Sequence, residues 1–271
     1  MKCDLCPRKC LVDRKKGEKG ICGQTENLKV ARAALHFWEE PCISGDAGSG
    51  AVFFSGCPLH CVFCQNENIA NGTVGKEISL ERLVDIFLEL QEKRANNINL
   101  VTPGHFVPQI VKALDQARKE GLTLPVVYNT SSYETVDTIK MLEGYVDIYL
   151  PDFKYMSPVL SKKYSHAPDY AEVAKAAIAE MVRQTGKAVF VNGEEDNLIL
   201  SGTIVRHLTL PGCMADSMQI LKYLHDTYGD MIYISIMNQF TPLSNLEKYP
   251  ELNRRITDEE YDRMAEAFGL E

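Results

Sequence analysis

Residues 51–64 read AVFFSGCPLHCVFC, an apolar run of strand length followed directly by three closely spaced cysteines, Cys57, Cys61 and Cys64. Their C-x3-C-x2-C spacing allows three thiolates to hold three irons of a [4Fe–4S] cluster, which leaves the fourth iron open to a ligand. Because these cysteines follow a strand, we expect them at the C-terminal edge of a parallel sheet, where α/β folds place their sites.

Two other interpretations of these cysteines exist. They are three unrelated thiols, or they form a zinc site completed by His60 or Cys42. Zinc sites usually pair C-x2-C units and take four protein ligands, so the spacing favours the cluster.

Downstream of this motif, the sequence alternates between strand and helix patterns. Residues 79–94 carry apolar residues on one helical face, with Ser79 as the N-cap, and Thr257 to Glu260 fits a capping box. Further strands are predicted at 97–102, 124–129, 146–150, 203–209 and 231–236, and further helices at 107–120, 134–143, 169–185 and 215–228. A hairpin is predicted at 188–200. Strands that alternate with helices indicate a parallel sheet with right-handed crossovers.

The bulk composition limits the classes of partner. The chain has 271 residues, 45% of them apolar, and a net charge of −8. That charge argues against nucleic acid as the main partner. No stretch approaches the length of a membrane span and the N-terminus has no apolar signal region, so we expect a cytoplasmic protein without a membrane partner.

The N-terminal region differs from the rest of the chain. Residues 1–45 have little periodicity, and we expect them to form a small cysteine-rich region beside a larger domain at 46–271. Four of its cysteines have the spacing C-x2-C-x3-C-x11-C: Cys3, Cys6, Cys10 and Cys22. In a reducing compartment such a set indicates zinc or a second iron–sulfur cluster, in a closed site with a structural or electron-relaying role.

The cysteine motif, with the aromatic Phe63 just before the third cysteine, resembles the radical SAM superfamily. The segment FFSGCPLHCVFCQN resembles its pyruvate formate-lyase activating enzyme branch, in the PflX-like group, and CDLCPRKC, HFWEEPCISG and TIVRHLTLPG are similar to that group too. The resemblance implies an α/β fold, a partial (β/α)6 barrel, with a [4Fe–4S] cluster and S-adenosylmethionine as cofactors. It also implies an electron donor such as reduced ferredoxin or flavodoxin.

The resemblance further implies that S-adenosylmethionine meets residues at the strand ends. Asp152 and Lys154 resemble the Asp-x-Lys of activating enzymes, and a paired acid and base suits a zwitterionic ligand; the alternative is a solvated ion pair. Related enzymes have Gly-Gly-Glu after the second strand, where this chain has Thr102-Pro-Gly104-His. Thr102 and Gly104 are therefore candidate contacts to S-adenosylmethionine, and the alternative is a turn that only ends the strand.

Three more residues complete the predicted cofactor contacts, and a fourth, Arg206, is predicted to meet the substrate or the cofactor. Phe63 is one, and Asn129 after the third strand is another, although Asn129 also fits a helix N-cap cluster. Gln239 stands where the family often has a histidine for the ribose. Arg206 and His207 lie in one strand, so only one faces the interior, and we expect Arg206 to point inward toward an anionic group. The alternative is an edge strand with Arg206 in solvent.

Three functions fit these features. The first is an activating enzyme that removes a hydrogen atom from a glycine of a partner glycyl radical enzyme. The second is a radical enzyme that acts on a small molecule or another peptide. The third is a non-catalytic iron–sulfur or metal-binding protein. No protein side chain is assigned as a catalytic acid or base.

Overall fold

The computed structural model of this chain describes residues 2–191, 197–243 and 246–267. Nine strands in this part of the chain belong to one sheet: β1 (Lys29–His36), β2 (Ser49–Phe54), β3 (Lys76–Glu77), β4 (Ile98–Val101), β5 (Val126–Thr130), β6 (Ile148–Pro151), β7 (Val189–Phe190), β8 (Ile199–Leu208) and β9 (Tyr233–Met237). Their order is β3-β1-β2-β4-β5-β6-β8-β7, and β9 also pairs with β8.

Helices connect these strands. The described α-helices are α1 (Pro41–Ser44), α2 (Glu67–Ala70), α3 (Leu80–Glu92), α4 (Val107–Lys119), α5 (Val136–Lys140), α6 (Pro158–Ser165), α7 (Tyr170–Thr185), α8 (Met214–Tyr228) and α9 (Asp258–Ala267). None of the described helices combines the length and the apolar character that crossing a bilayer requires.

Six strands form the parallel part of the sheet and follow one another in chain order, β2-β4-β5-β6-β8-β9. Helices separate them, as right-handed crossovers require. The predicted α/β class with a mostly parallel sheet is therefore confirmed. The barrel is open among the described residues, because no pairing joins β9 to β2 or β1.

Local sequence signals explain most element boundaries. The Ser79 Oγ accepts a hydrogen bond from the Arg82 N–H at 3.2 Å, as expected of the N-cap of α3. The predicted capping box before α9 is also present, because Thr257 and Glu260 exchange side chain-to-backbone hydrogen bonds of 2.9 and 3.2 Å. The predicted hairpin at 188–200 corresponds to β7 and the start of β8, and its residues 192–196 lie outside the described part.

Several elements near the site were not predicted, among them the short helices α1 and α2, and two others are important for its geometry. One is α6, which begins at Pro158 after the N-cap Ser157. The other is β1, which lies within the cysteine-rich region and pairs antiparallel with β2 from Val30 to His36. The sheet therefore extends beyond its parallel part into residues 1–45.

The largest apolar cluster lies outside the parallel strands. Leu100 and Tyr128 point away from the barrel interior and pack with Phe87 of α3 and Leu114 of α4, all essentially inaccessible to solvent. Burial of this kind supplies most of the folding free energy, at about 25 cal/mol per Å² of apolar surface. The interior face carries a second buried apolar cluster, which includes Ile204, and polar side chains toward the C-terminal ends of the strands.

Candidate active site

The loop that follows β2 carries the three motif cysteines and is held by the N-terminal region. The Arg8 Nε donates to the Pro58 carbonyl at 2.9 Å, and the His60 Nε2 lies 2.8 Å from the Ile21 carbonyl. His60 adopts a left-handed φ of 51°, which costs free energy for a residue with a Cβ. These contacts fix the loop in a conformation that the local sequence alone does not favour.

All three cysteines, Cys57, Cys61 and Cys64, line one cavity of about 530 Å³. Burial, together with the neighbouring thiol of Cys61, raises the pKa of Cys57 to about 12 and also raises that of Cys64. The Ser165 hydroxyl donates to the Cys61 Sγ at 3.0 Å. The thiols of Cys57 and Cys64 stay protonated at neutral pH until a metal displaces the protons, which couples loading of the site to proton release.

No three His, Cys, Asp or Glu side chains among the described residues converge on a position for a single metal ion. Thiolates that bind different irons of a cluster are separated by the cluster itself, whereas ligands of one zinc ion all lie about 2.3 Å from it. The fit of Cys57, Cys61 and Cys64 to a [4Fe–4S] cluster therefore rests on their spacing and on the cavity that they share.

Polar residues from the strand ends line the same cavity. Thr102 follows β4, Asn129 lies in β5, and Asp152 and Lys154 follow β6. The Lys154 Nζ donates to the Asp152 carboxylate at 2.7 Å, and both side chains are more than four-fifths buried. The pair is thus not a solvated surface ion pair.

Arg206 of β8 points into this cavity and connects its walls. The Arg206 Nε donates to Asp152 at 2.9 Å, Nη2 donates to the Asn129 Oδ1 at 2.7 Å, and Nη1 donates to Glu39 at 3.0 Å. Burial alone would raise the pKa of Asp152, but the charges of Arg206 and Lys154 outweigh it and hold that pKa below its usual range. The interior therefore contains a stable ionised network.

Two acidic residues of this network were missed at the sequence level. The Glu39 carboxylate accepts from the side-chain amides of Asn99 at 2.9 Å and Asn129 at 2.7 Å. Glu40 accepts from the Ser235 hydroxyl of β9 at 3.1 Å, and burial raises the pKa of Glu40. The segment between β1 and α1 therefore crosses from β4 and β5 to β8 and β9.

His207, the neighbour of Arg206, faces the opposite side of β8. Its ring nitrogens lie 2.7 Å from the Phe153 carbonyl and 2.8 Å from the Ser217 hydroxyl. Burial lowers the pKa of His207 to about 4. As the alternation of side chains along a strand predicted, only one of the two residues faces the interior, and that residue is Arg206.

Three predicted cofactor contacts do not line the cavity. Phe63 packs edge-on against Tyr155 and Phe240, with ring centroids 6.4 and 6.1 Å apart. Gly104 lies in a short 3-10 turn, where an added Cβ would collide with the buried carboxylate of Glu134. Gln239 is exposed. Asn129, by contrast, does line the cavity, and Thr135 rather than Asn129 caps α5.

The N-terminal cysteines lie close to one another beside the cysteine loop. Backbone hydrogen bonds of 2.9 and 3.0 Å pair Cys3 with residues 11 and 12, and the Ile21 N–H donates to the Cys10 Sγ at 3.3 Å. Burial raises the pKa of Cys6 to about 12 and also raises that of Cys22, and the nearby thiols add to both shifts. An added Cβ at Gly56, just before Cys57, would collide with the Cys22 carbonyl. The two cysteine sets thus belong to adjoining parts of the fold.

Sequence comparisons relate this chain to known proteins. The radical SAM superfamily model matches residues 51–198. An uncharacterized protein of Methanocaldococcus jannaschii is 27% identical over 99% of this chain and 75% of its own length.

Three solved structures share the fold at 11–15% identity. They are HydG, a maturase of the [FeFe]-hydrogenase (TM-score 0.51, 13% identity), methylornithine synthase PylB (0.52, 15%) and Streptococcus suis SuiB bound to precursor peptide SuiA (0.52, 11%). The alignments cover 78%, 77% and 79% of this chain but 47%, 58% and 43% of those chains, so the chain spans about half the length of these structures. Because the family match covers more than half of its residues, the chain belongs to the radical SAM superfamily, whose members use a [4Fe–4S] cluster and S-adenosylmethionine.

Proposed function

We propose that this chain holds a [4Fe–4S] cluster on Cys57, Cys61 and Cys64 and cleaves S-adenosylmethionine reductively. The observation that carries the proposal is the shared cavity, whose wall includes these three cysteines and the charged residues of the strand ends. When bound, the reduced cluster supplies the electron that yields a 5′-deoxyadenosyl radical, which removes a hydrogen atom from the substrate.

The substrate that we propose is a glycine in a partner protein, as in the pyruvate formate-lyase activating enzyme branch and its PflX-like group. The sequence similarity to that branch in the motif 53–66 and in the segment 36–45 supports this assignment. Hydrogen abstraction by a radical needs no proton acceptor, which agrees with the lack of an assigned catalytic acid or base.

The protein's own contribution is to bind and orient the sulfonium cofactor. Asp152 suits its amino group and Lys154 its carboxylate, since each keeps its charge through their mutual ion pair. Thr102 and Asn129 add hydrogen-bonding groups on the same wall. Arg206 anchors Asp152, so we assign it a positioning role toward the cofactor.

Electrons need a route to the cysteine loop from outside. Cys61 and Cys64 also line a second pocket, of about 250 Å³, together with His60, Glu67 and Tyr249. We propose that a reduced ferredoxin or flavodoxin docks over this pocket in a reducing compartment. The donor then approaches the cluster through a pocket that shares Cys61 and Cys64 with the S-adenosylmethionine cavity.

For the cysteine-rich region 1–45, we propose a second metal centre on its four thiols, zinc or an iron–sulfur cluster, beside a radical SAM domain at 46–271. The iron–sulfur cluster is favoured, because no three of these described thiols converge on the position of a single metal ion. The thiols are Cys3, Cys6, Cys10 and Cys22. The left-handed φ angles of Lys9 and Leu11 are costly in a segment with so little core, and a metal would stabilise them.

The test is anaerobic reconstitution with iron and sulfide, followed by assay of 5′-deoxyadenosine with dithionite and S-adenosylmethionine. Wild type should form the product, and Cys61→Ala should form none and should lose the electron paramagnetic resonance change that S-adenosylmethionine causes. Cys42→Ala is the matched control, because Cys42 is half-buried and lies outside the cavity. Full product formation by Cys61→Ala would refute the proposed ligand set.

The partner is tested separately. A glycyl radical signal on a co-purified protein, formed only with active enzyme, supports the activating role. Product formation with a small molecule or an unrelated peptide as hydrogen donor supports the alternative radical enzyme. A cluster that never yields 5′-deoxyadenosine supports an electron-transfer protein.

A further inference from the structure

The outer edge of β1 is open beside the cavity. The neighbouring strand β3 pairs only with Lys29 and Val30, so residues 31–36 have a strand partner on the β2 side alone within the described part of the chain. An edge strand of this kind presents unpaired N–H and C=O groups to any extended chain that lies next to it.

The inner face of β1 is part of the cavity wall. Arg32 pairs in register with Phe53 and His36 with Ser49, so both side chains share one face of the sheet with Phe53. Arg32, His36 and Phe53 all line the cavity that contains the three motif cysteines. An added strand at this edge would therefore lie directly beside the proposed radical site.

Exposed aromatic side chains continue the same surface. Trp38 is 88% exposed and Phe37 is 52% exposed, although both follow β1 directly and Trp38 also lines the cavity. Adjacent exposed aromatic residues at a cavity rim are typical of a binding surface. The next two residues hold this segment in place, because Glu39 bonds to Arg206 and Glu40 bonds to Ser235. The backbone that carries the two aromatic side chains is therefore fixed.

The charge of this edge is opposite to that of the whole chain. Arg32 is exposed and makes no hydrogen bond or ion pair to any other described residue, whereas Arg206 and Lys154 inside the cavity are both paired. Lys29 and Lys76 lie at the same edge, opposed by Glu77. In a protein of net charge −8, such an unpaired cation favours an acidic ligand.

We propose that an extended peptide segment with acidic side chains adds to the free edge of β1 as a further strand. Its backbone pairs with residues 31–36, one acidic side chain binds Arg32, and Trp38 covers a neighbouring side chain. Since alternate side chains of a strand face opposite sides, every second residue of the bound segment points toward the cavity. This inference deepens the proposed function, because it gives the class of the protein substrate and the way in which its reacting residue reaches the site.

The experiment uses the reconstituted full-length protein and a library of acetylated heptapeptides with a central glycine and with acidic, neutral or basic flanking residues. Binding is measured by calorimetry and by hydrogen–deuterium exchange of the amides at 31–36. We expect the acidic peptides to bind most tightly and to slow exchange at these amides. Trp38 is the only tryptophan, so a change in its emission reports occupancy of the same surface.

Two variants decide the outcome. Arg32→Glu should weaken binding of the acidic peptides at least about 10-fold, as expected for loss of a charge-assisted contact and addition of a repulsive one. Lys119→Glu, an exposed charge reversal at the end of α4, is the matched control and should leave peptide binding unchanged.

Equal binding of acidic and basic peptides, or unchanged exchange at 31–36, would overturn the proposal. Protection of these amides that grows with protein concentration in the absence of peptide would also overturn it, because the edge would then pair with a second copy of the chain. Failure of 5′-deoxyadenosine formation with normal peptide binding would instead count against the proposed function.

Discussion

The two faces of the parallel strands differ in what they contain and in what they do. The outer face carries aliphatic and aromatic residues under the helices, whereas the inner face, at the C-terminal ends of its strands, carries charged residues that contact one another. Arg206 and His207 are neighbours in β8 and belong to opposite faces. Residues of the outer face should therefore affect stability alone, while those of the inner face affect cofactor binding as well.

The largest effect is expected on the inner face, for Arg206→Met. The change leaves Glu39 and Asp152 buried without their main partner, which should lower the free energy of unfolding by about 3–5 kcal/mol. Chemical denaturation of the full chain measures this, and Arg255→Met, an exposed position, is the control. A loss no larger than that of the control would mean that the inner network contributes nothing to stability.

The next effect belongs to the outer face and depends on pH. Burial lowers the pKa of His207 to about 4 from 6.5, so between these values the unfolded imidazole binds a proton that the folded one does not. The free energy of unfolding should fall as the pH drops through this window, by about 3 kcal/mol in total. Denaturation at several pH values measures this dependence. The free energy of unfolding should change less steeply with pH for His207→Gln than for wild type, and the variant should still bind S-adenosylmethionine at pH 8. Identical slopes would show that His207 does not carry this dependence.

A smaller effect separates binding from stability on the inner face. Lys154→Met removes one ligand contact but leaves Asp152 paired with Arg206, so we expect roughly 10- to 100-fold weaker S-adenosylmethionine binding and little change in unfolding. Calorimetry on the reconstituted protein measures the affinity, and Lys162→Met, an exposed lysine of α6, serves for comparison. Unaltered affinity would remove Lys154 from the cofactor site.

The smallest effect concerns the cysteine loop. Ser165→Ala removes the hydrogen bond to the Cys61 Sγ, which should lower the reduction potential of the cluster by roughly 40 mV, the equivalent of about 1 kcal/mol for one electron. Redox titration monitored by electron paramagnetic resonance gives this value. Ser161→Ala is the matched control in the same helix, because Ser161 bonds to the Pro158 carbonyl instead. A shift of equal size in the control would contradict a specific role for Ser165.

The sequence predicted the parallel strands and most crossover helices, because their apolar periodicity and caps are local signals. It also predicted that Asp152, Lys154 and Arg206 lie near the motif cysteines, since strand ends meet at one edge of a sheet. The strand β1 was not predicted, because its short apolar pattern is interrupted by Arg32 and by three alanines.

Other features depend on tertiary contacts that no local pattern encodes. Glu39 and Glu40 resemble ordinary surface charges in sequence, yet they lie inside the barrel. Phe63, predicted as a cofactor contact, packs among aromatic neighbours in a cluster that Cys57 and Cys61 also contact, and its role toward the cofactor stays a prediction. Gln239 follows β9 but remains exposed, because nothing in the strand pattern specifies where the chain goes after its last residue.

The contact between Glu39 and Arg206 joins residues 167 positions apart. A contact of such high sequence separation forms only after a large loop has closed, so it is among the last to appear as the chain folds. During synthesis on the ribosome, the Glu39 carboxylate has no arginine partner until β8 has emerged. Competence to take up the cofactor is therefore acquired late, because a nascent chain that ends before β8 lacks the arginine that joins Glu39 to Asp152.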